Sequence, residues 1–218
     1  MFVFSVPLSN LVNFYNMNNS HKKSLLHLSK VDPIMAGVIK RAKVEPLRPR
    51  KNHFESLVVA IINQQLSGKA ADTIEKRFRS LFGGKFPKPA QVLKLSDVKL
   101  RRAGLSFQKI SYIKNIARAV ERGSLDFRKM KNLDDEEIIV SLTKIKGIGR
   151  WTAEMFLMFS LARPNVFSLG DLGLRNGLKK MYKIDAKRHH KKLQKLLDLW
   201  HPHKTTASRH LWVSLRLD

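Results

Sequence analysis

Three features of the sequence predict an all-α protein. Apolar residues recur at three- and four-residue spacing in successive segments from Asp32 onward, and no β-rich tract or internal repeat interrupts them. Capping and turn residues punctuate these segments at helical lengths, as at Asp32-Pro33, Gly104 and Asp171. Gly147-Ile148-Gly149 stands between two helical segments, where it should form a tight turn. With 218 residues, 43% of them hydrophobic, the chain can bury one core or two smaller lobes that share a cleft.

At the start of the chain, residues Met1 to Asn16 carry no charge, so they lack the basic start of a secretory signal and the arginines of a transit peptide. Residues 1–31 are read as an N-terminal extension and residues 32–218 as the folded body. Asp32-Pro33 caps and opens a helix whose apolar face is Ile34, Met35, Val38 and Ile39. Leu47 to Arg50 is an extended basic linker. Phe54 to Leu66 is apolar nearly all round and reads as a buried central helix ending in Asn63, Gln64 and Gln65. Ser67-Gly68-Lys69 opens the next helix, which runs from Ala70 to Phe82.

After the turn Phe86-Pro87-Lys88-Pro89, short helices cover Ala90 to Leu95 and Ser96 to Gly104. Leu105 to Arg122 is amphipathic, with Ile110, Ile113, Ile116, Ala117 and Val120 inside and a basic outer face. Asp134-Asp135-Glu136-Glu137 is the one acidic cluster. A metal site is one reading of it, but carboxylates are favoured in the first turn of a helix, next to its positive end. Lys187 to Trp200 and Lys204 to Leu217 close the series. The histidines of the last third, His189, His190, His201, His203 and His210, have neither cysteine nor matching carboxylate spacing and are read as surface or DNA-facing groups.

Charge narrows the function. Lys and Arg number 42 against 17 acidic residues, a formal net charge of +25 spread along the chain. That balance calls for a polyanion, nucleic acid first, with an acidic membrane or the ribosome as alternatives. The absence of cysteine excludes a disulfide, a thiol nucleophile, a zinc-cysteine site and a cysteine-ligated iron-sulfur cluster. No apolar run approaches the ~20 residues that span a bilayer, so a soluble protein is expected.

The most informative stretch runs from Leu142 to Leu178. At Gly147-Ile148-Gly149 a positive φ is cheap, and no side chain keeps a ligand from the backbone. The amides that open the next helix point outward at its positive end, where phosphate oxygens bind. Lys144, Lys146 and Arg150 surround the turn. A glycine pair between helices more often serves only to cap and turn, so the phosphate reading takes its weight from the residues on the C-terminal side of the turn.

KGIGRWTAEMFL and then NVFSLGDLGLR resemble the helix-hairpin-helix and Gly/Pro-Asp motif of the base-excision DNA glycosylases, most closely the 3-methyladenine DNA glycosylase II branch. INQQLSGKAADTI, AGLSFQKISYIKNIA and WHPHKTTASRHLW resemble the same family, and the resemblance extends from about Asp32 to Leu217. It implies two helical lobes flanking a cleft, and hydrolytic removal of alkylated purines, of the 3-methyladenine or 7-methylguanine type, from duplex DNA. Breaking the C1′–N bond passes through an oxocarbenium-like state, which needs negative charge beside the sugar and a base turned out of the stack.

The resemblance assigns the charge to Asp171, the one carboxylate between Glu154 and Asp185. Apart from the resemblance, the favoured reading of this residue is a plain helix N-cap, the commonest use of aspartate at such a place, and the two roles can coexist. Trp151 occupies the position where strand-cutting relatives hold a lysine. An indole forms no Schiff base, so a monofunctional enzyme that leaves an abasic site is expected. Trp151 and Trp212 match aromatic residues that line the base pocket, where cation-π attraction to an alkylated purine contributes roughly 0.5 to 2 kcal/mol. Met155 stands where some relatives have another aromatic.

Gln65, with Leu66 next, matches the residue that fills the space of the everted base; a helix-capping amide is the plainer reading of that glutamine. Gly147, Gly149, Lys146 and Arg150 would hold the DNA backbone. The backbone carbonyls of Thr143, Ile145 and Ile148 match those that hold a structural monovalent cation in the family, and no other cofactor is expected. The expected partner is double-stranded DNA with damaged bases. A monomer inside the cell is the default, in a prokaryotic cytoplasm or a eukaryotic nucleus. Two rivals stand beside this reading: a non-catalytic helix-hairpin-helix DNA-binding protein, and a glycosylase for oxidised or deaminated bases.

Overall fold

Helix boundaries coincide with the capping residues. In a computed structural model, which describes residues 8–66 and 68–217, all the regular elements among the described residues are helical. They are α1 (Leu8–Val31), α2 (Pro33–Arg41), α3 (His53–Asn63), α4 (Gly68–Ser80), α5 (Pro89–Lys94), α6 (Asp97–Arg102), α7 (Phe107–Glu121), a 3-10 turn (Lys129–Asn132), α8 (Asp135–Thr143), α9 (Arg150–Phe159), α10 (Leu172–Tyr182), α11 (His190–Leu199) and α12 (Lys204–Ser214).

Side-chain caps start α2, α3, α7, α8 and α10. The acceptors are Asp32, Asn52, Ser106, Asp134 and Asp171, each taking a backbone N–H three residues ahead. Asp134 and Glu137 form a reciprocal capping box at 2.8 Å in both directions, so the acidic cluster is a helix start. The central helix expected over Phe54 to Leu66 stops three residues earlier. Gln64 leaves the α region (φ −53°, ψ 129°) and Gln65 takes a left-handed φ of 55°. Ser67 lies outside the described residues, as do residues 1–7 of the N-terminal extension; residues 8–31 of that extension belong to α1.

The chain divides into two compact units, Met1–Arg48 with Ala162–Asp218, and Pro49–Leu161. The division falls inside the basic segment Leu47 to Arg50, which is extended. In the unit Pro49–Leu161, α7 packs against α3, α5 and α6, while α9 packs against α3 and α8. Phe54, Leu57, Val58, Ile61, Phe78, Ile110, Ile113, Ile116, Leu142 and Leu157 are buried there. The period-3.6 apolar stripes read from the sequence are the faces these helices bury.

In the other unit α12 packs on α1, α2 and α10 around Leu28, Met35, Leu174, Leu178, Leu197, Trp200 and Leu211. Its buried polar groups include Asp32, 4% exposed. One carboxylate oxygen caps α2 through Met35 N at 2.9 Å, and the other accepts from Tyr182 Oη at 2.7 Å and Trp200 Nε1 at 2.8 Å. Burial, then the bond to Asp32, raises the Tyr182 pKa far above that of a free phenol, so the hydroxyl stays a donor.

Two of the histidines depart from expectation, while His190 and His201 are exposed. His210 is 1% exposed and bonds the Thr206 carbonyl at 2.8 Å, and His203 Nδ1 meets Ser24 Oγ at 3.0 Å with its ring edge-on to His27. These two belong to the packing of the unit rather than its surface, because an imidazole on the inner face of a helix needs only one local partner.

Both Asp32 and His210 should be visible in the stability of the protein. Asp32→Ala removes a cap and strands two buried donors, so it should destabilise the protein by roughly 3–5 kcal/mol in denaturant titration. His210 has its pKa lowered, chiefly by burial and then by His21 and Arg209 against the opposing Thr206 bond. A lowered folded pKa means that the unfolded chain binds the proton more tightly, so stability should fall as the pH drops below about 6.5. Denaturant midpoints measured at descending pH should show this loss, and it should be smaller in His210→Gln.

Candidate active site

Each functional group is placed by a local structural reason. In the unit Pro49–Leu161, α8 ends at Thr143 and α9 begins at Arg150, so residues 144–149 must reverse the chain. Gly147 does so with φ 111°, and a Cβ added there would stand 2.3 Å from Tyr112 Cγ. Gly149 differs: its φ is an ordinary −88°, it is the N-cap of α9, and a Cβ there would meet nothing within 4 Å. Thus the turn demands glycine at 147, while at 149 glycine leaves open space in front of the α9 amides, where an anion is favoured.

Gln64 holds the turn from behind. Its Nε2 donates to the Gly147 carbonyl at 3.5 Å and lies 3.4 Å from Thr152 Oγ1. The capping amide of this stretch is therefore Gln64, while Gln65 is exposed in its left-handed conformation and Leu66 is 37% exposed. Asn63, Gln64, Gln65, Lys109, Tyr112, the residues Gly147 to Gly149 and Trp151 line a cavity of about 630 Å³.

Lys109 and Tyr112 carry no signal of a site in the sequence, where they read as part of the outer face of an amphipathic helix. Lys109 Nζ donates to the Ile62 carbonyl at 2.7 Å, and burial lowers its pKa. Trp151 is 40% exposed on the cavity wall. Met155, one turn along α9, lines a separate hollow of about 220 Å³ with Val59, Phe156 and Phe159. The structure therefore does not bring Met155 into the cavity that holds Trp151.

Lys146 is exposed, and its carbonyl accepts from Asn115 Nδ2 at 3.1 Å. Arg150 is engaged: both its terminal nitrogens meet Glu136 at 2.7 Å, and its Nε meets Glu154 at 3.0 Å. The bonds to Glu136 raise its pKa further. Its charge is thus partly offset within the protein, which the one-dimensional pattern of Arg150 beside two glycines does not reveal.

In the unit that holds the C-terminal residues, Asp171 is half-buried at the start of α10. Its Oδ1 accepts from Leu174 N at 2.8 Å and from Trp212 Nε1 at 2.8 Å. Two glycines allow α12 to come this close. A Cβ at Gly173 would lie 2.8 Å from Trp212 Cδ1 and 3.1 Å from Asp171 Oδ1, and one at Gly177 would lie 3.1 Å from the Leu211 carbonyl.

The loop before Asp171 is stitched to α12. Thr205 Oγ1 accepts from Val166 N at 3.0 Å and donates to the Arg163 carbonyl at 2.6 Å, while Ser208 Oγ donates to the Val166 carbonyl at 3.3 Å. Arg175 braces the other side through the Leu169 and Gly170 carbonyls, each at 3.1 Å. Sequence reasoning missed Gly173, Thr205 and Ser208. The second glycine of Gly-Asp-Leu-Gly was the available signal, since only a close approach explains its place in the first turn of a helix.

The two glycines of the hairpin should separate in a stability assay. Gly147→Ala, with a positive φ and a ring in the way, should lose roughly 2–4 kcal/mol. Gly149→Ala, with space and an ordinary φ, should lose about 1 kcal/mol or less. Denaturant melts of the two variants test the difference.

The chain is similar to known DNA repair proteins. DNA-3-methyladenine glycosylase 1 of Schizosaccharomyces pombe is 35% identical over 200 residues, covering 89% of this chain and 88% of its own. Among solved structures, the DNA-3-methyladenine glycosidase of Bacillus halodurans superposes with a TM-score of 0.76 at 42% identity, covering 86% of each chain. The S. pombe 3-methyladenine DNA glycosylase in complex with abasic DNA superposes with a TM-score of 0.80 at 35% identity, covering 89% of this chain and 97% of that one. The profile of the HhH-GPD superfamily of base excision DNA repair proteins matches residues 58–202. With more than half its length inside that match, and with the hairpin and the capped aspartate in place, the chain belongs to the HhH-GPD superfamily of base excision DNA repair proteins.

Proposed function

We propose that this protein is a monofunctional DNA glycosylase that hydrolyses the N-glycosidic bond of alkylated purines in duplex DNA. The observation that carries this reading is the carboxylate of Asp171, half-buried at the positive end of α10 and bonded to an indole. The relatives named for 3-methyladenine support the substrate class. An alkylated purine is a cationic, activated leaving group, so one acid suffices. In this reading Asp171 steadies the developing sugar cation and orients or deprotonates the attacking water. Trp212, bonded to Asp171, would offer an aromatic face to a cationic base, and in its own unit Trp151 has an exposed indole suited to the same attraction. Met155, which lines a different hollow from Trp151, is given no part in that pocket.

The open side of Gly149 and the α9 amides would take a backbone phosphate, with Lys146 adding charge and Arg150 contributing what its two carboxylate partners leave. Gln65 and Leu66, exposed at the left-handed turn after α3, would enter the duplex in place of the everted base. The carbonyls of Thr143, Ile145 and Ile148 would hold a monovalent cation. Thr143 ends α8, where carbonyls lack helical partners, and Ile145 O already accepts the Ile148 amide at 3.0 Å, which fixes the turn. A cation held there would supply positive charge beside the phosphate. The protein would act as a monomer on DNA inside the cell, and no other cofactor is required. No helix among the described residues is long and apolar enough to cross a membrane.

The test is release of free 3-methyladenine and 7-methylguanine from methylated DNA, measured beside hypoxanthine and 8-oxoguanine substrates. Asp171→Asn keeps the helix cap, because asparagine is as good an N-cap, but removes the charge. Turnover should fall by at least roughly 10²-fold while abasic duplex is still bound. Gly173→Ala, which pushes the Trp212 indole off the carboxylate, should lower turnover in the same direction. No covalent adduct should form under borohydride, since position 151 supplies no amine. Failure to excise any methylated purine would overturn the substrate class, and an Asp171→Asn enzyme with full turnover would overturn the mechanism.

A further inference from the structure

Beside the hairpin, in the same unit, lies a second hollow of about 540 Å³, and of its lining the proposed function uses only Lys146 and the Ile145 carbonyl. Arg118 on α7 and Arg122 at that helix's C-cap line it, with Lys144 and Lys146 from the turn after α8; no carboxylate lines it. None of these four cations makes an ion pair among the described residues, whereas Arg79, Arg128 and Arg150 all do. The Arg118 guanidinium is held, not loose. It donates to Asn115 Oδ1 at 2.7 Å, and Asn115 Nδ2 in turn donates to the Lys146 carbonyl at 3.1 Å. A side-chain amide thus ties one cation of the hollow to the backbone of the hairpin.

Four like charges around one concavity repel one another and raise the local potential, an arrangement that an anion relieves. The lining contains no aromatic ring on which a base could stack, and its polar side chains are mainly cationic donors and short hydroxyls. Such a set recognises phosphodiester oxygens rather than base edges. We propose that this hollow is a second backbone-binding site, which takes phosphodiesters of the duplex next to the one held at the Gly147 to Gly149 turn. The site extends the footprint on DNA and sets affinity without reading sequence or lesion. It rests on DNA being the ligand of the hairpin, but not on which base is excised.

The test is the salt dependence of binding to a duplex carrying a stable abasic analogue, monitored by fluorescence anisotropy. In R118Q/R122Q the slope of log K against log salt should shrink by about 0.9 for each phosphate that is no longer neutralised. Affinity at low salt should fall on the order of tenfold, for damaged and undamaged duplex alike. R118K/R122K, which keeps the charge, should retain most of both. An unaltered slope and affinity in R118Q/R122Q would sink the proposal, and would leave the hollow to an acidic protein partner or to no ligand. Equal losses in the two variants, with a lowered melting temperature, would also sink it, by pointing to packing rather than charge. If the wild-type protein excises no methylated purine yet the slope changes as described, the substrate reading fails and the second backbone site stands.

Discussion

One carboxylate oxygen organises the C-terminal part of the molecule. Asp171 Oδ1 accepts both the amide that opens α10 and the indole N–H of Trp212 on α12. The first bond fixes where the helix starts and the second fixes how the neighbouring helix sits against it. Gly173 and Gly177 exist in α10 because α12 approaches too closely there for a side chain. The loop before the aspartate is fastened to the same helix by Thr205 and Ser208. In the proposed reaction the indole N–H would orient this acid while adding no positive charge of its own, as a lysine or arginine in its place would.

The hairpin shows a comparable division of labour. Gly147 satisfies the protein, since its positive φ and the Tyr112 ring leave no room for a side chain. At Gly149 space rather than strain surrounds the backbone, which is what the proposed phosphate contact would need. The side-chain amides of Gln64 and Asn115 hold the turn by donating to its carbonyls from two directions, one just past the end of α3 and the other on α7. The backbone amides are thereby left in place before any DNA arrives, which is the condition under which they stabilise an anion without reorganising.

The large positive charge has a structural counterpart in how the acids are used. Asp32, Asp134, Glu137 and Asp171 serve helix starts, while Glu55, Glu75, Glu136 and Glu154 pair with arginines inside their own unit. With these carboxylates turned to local work, Arg118, Arg122, Lys144 and Lys146 on α7 and the hairpin have no internal counter-charge among the described residues. Part of the formal +25 is therefore gathered beside the turn at Gly147 to Gly149 rather than spread evenly.

Helix class, the apolar faces, the caps at Asp32, Asp134 and Asp171, the hairpin and its tie to the family were all legible in the residues, because each rests on spacing of a few positions along the chain. The right end of α3 was not, because apolar periodicity continues past Asn63 while Gln64 is pulled toward Gly147, a residue 83 positions away. The same limit applies to the pairing of Arg150 with Glu136, to the burial of His210 and to the separate hollow that Met155 lines. It applies also to the bond between Asp171 and Trp212, residues 41 positions apart. Local preference decides what each segment becomes, but which side chains meet is decided by packing between helices, and that packing depends on the whole chain at once.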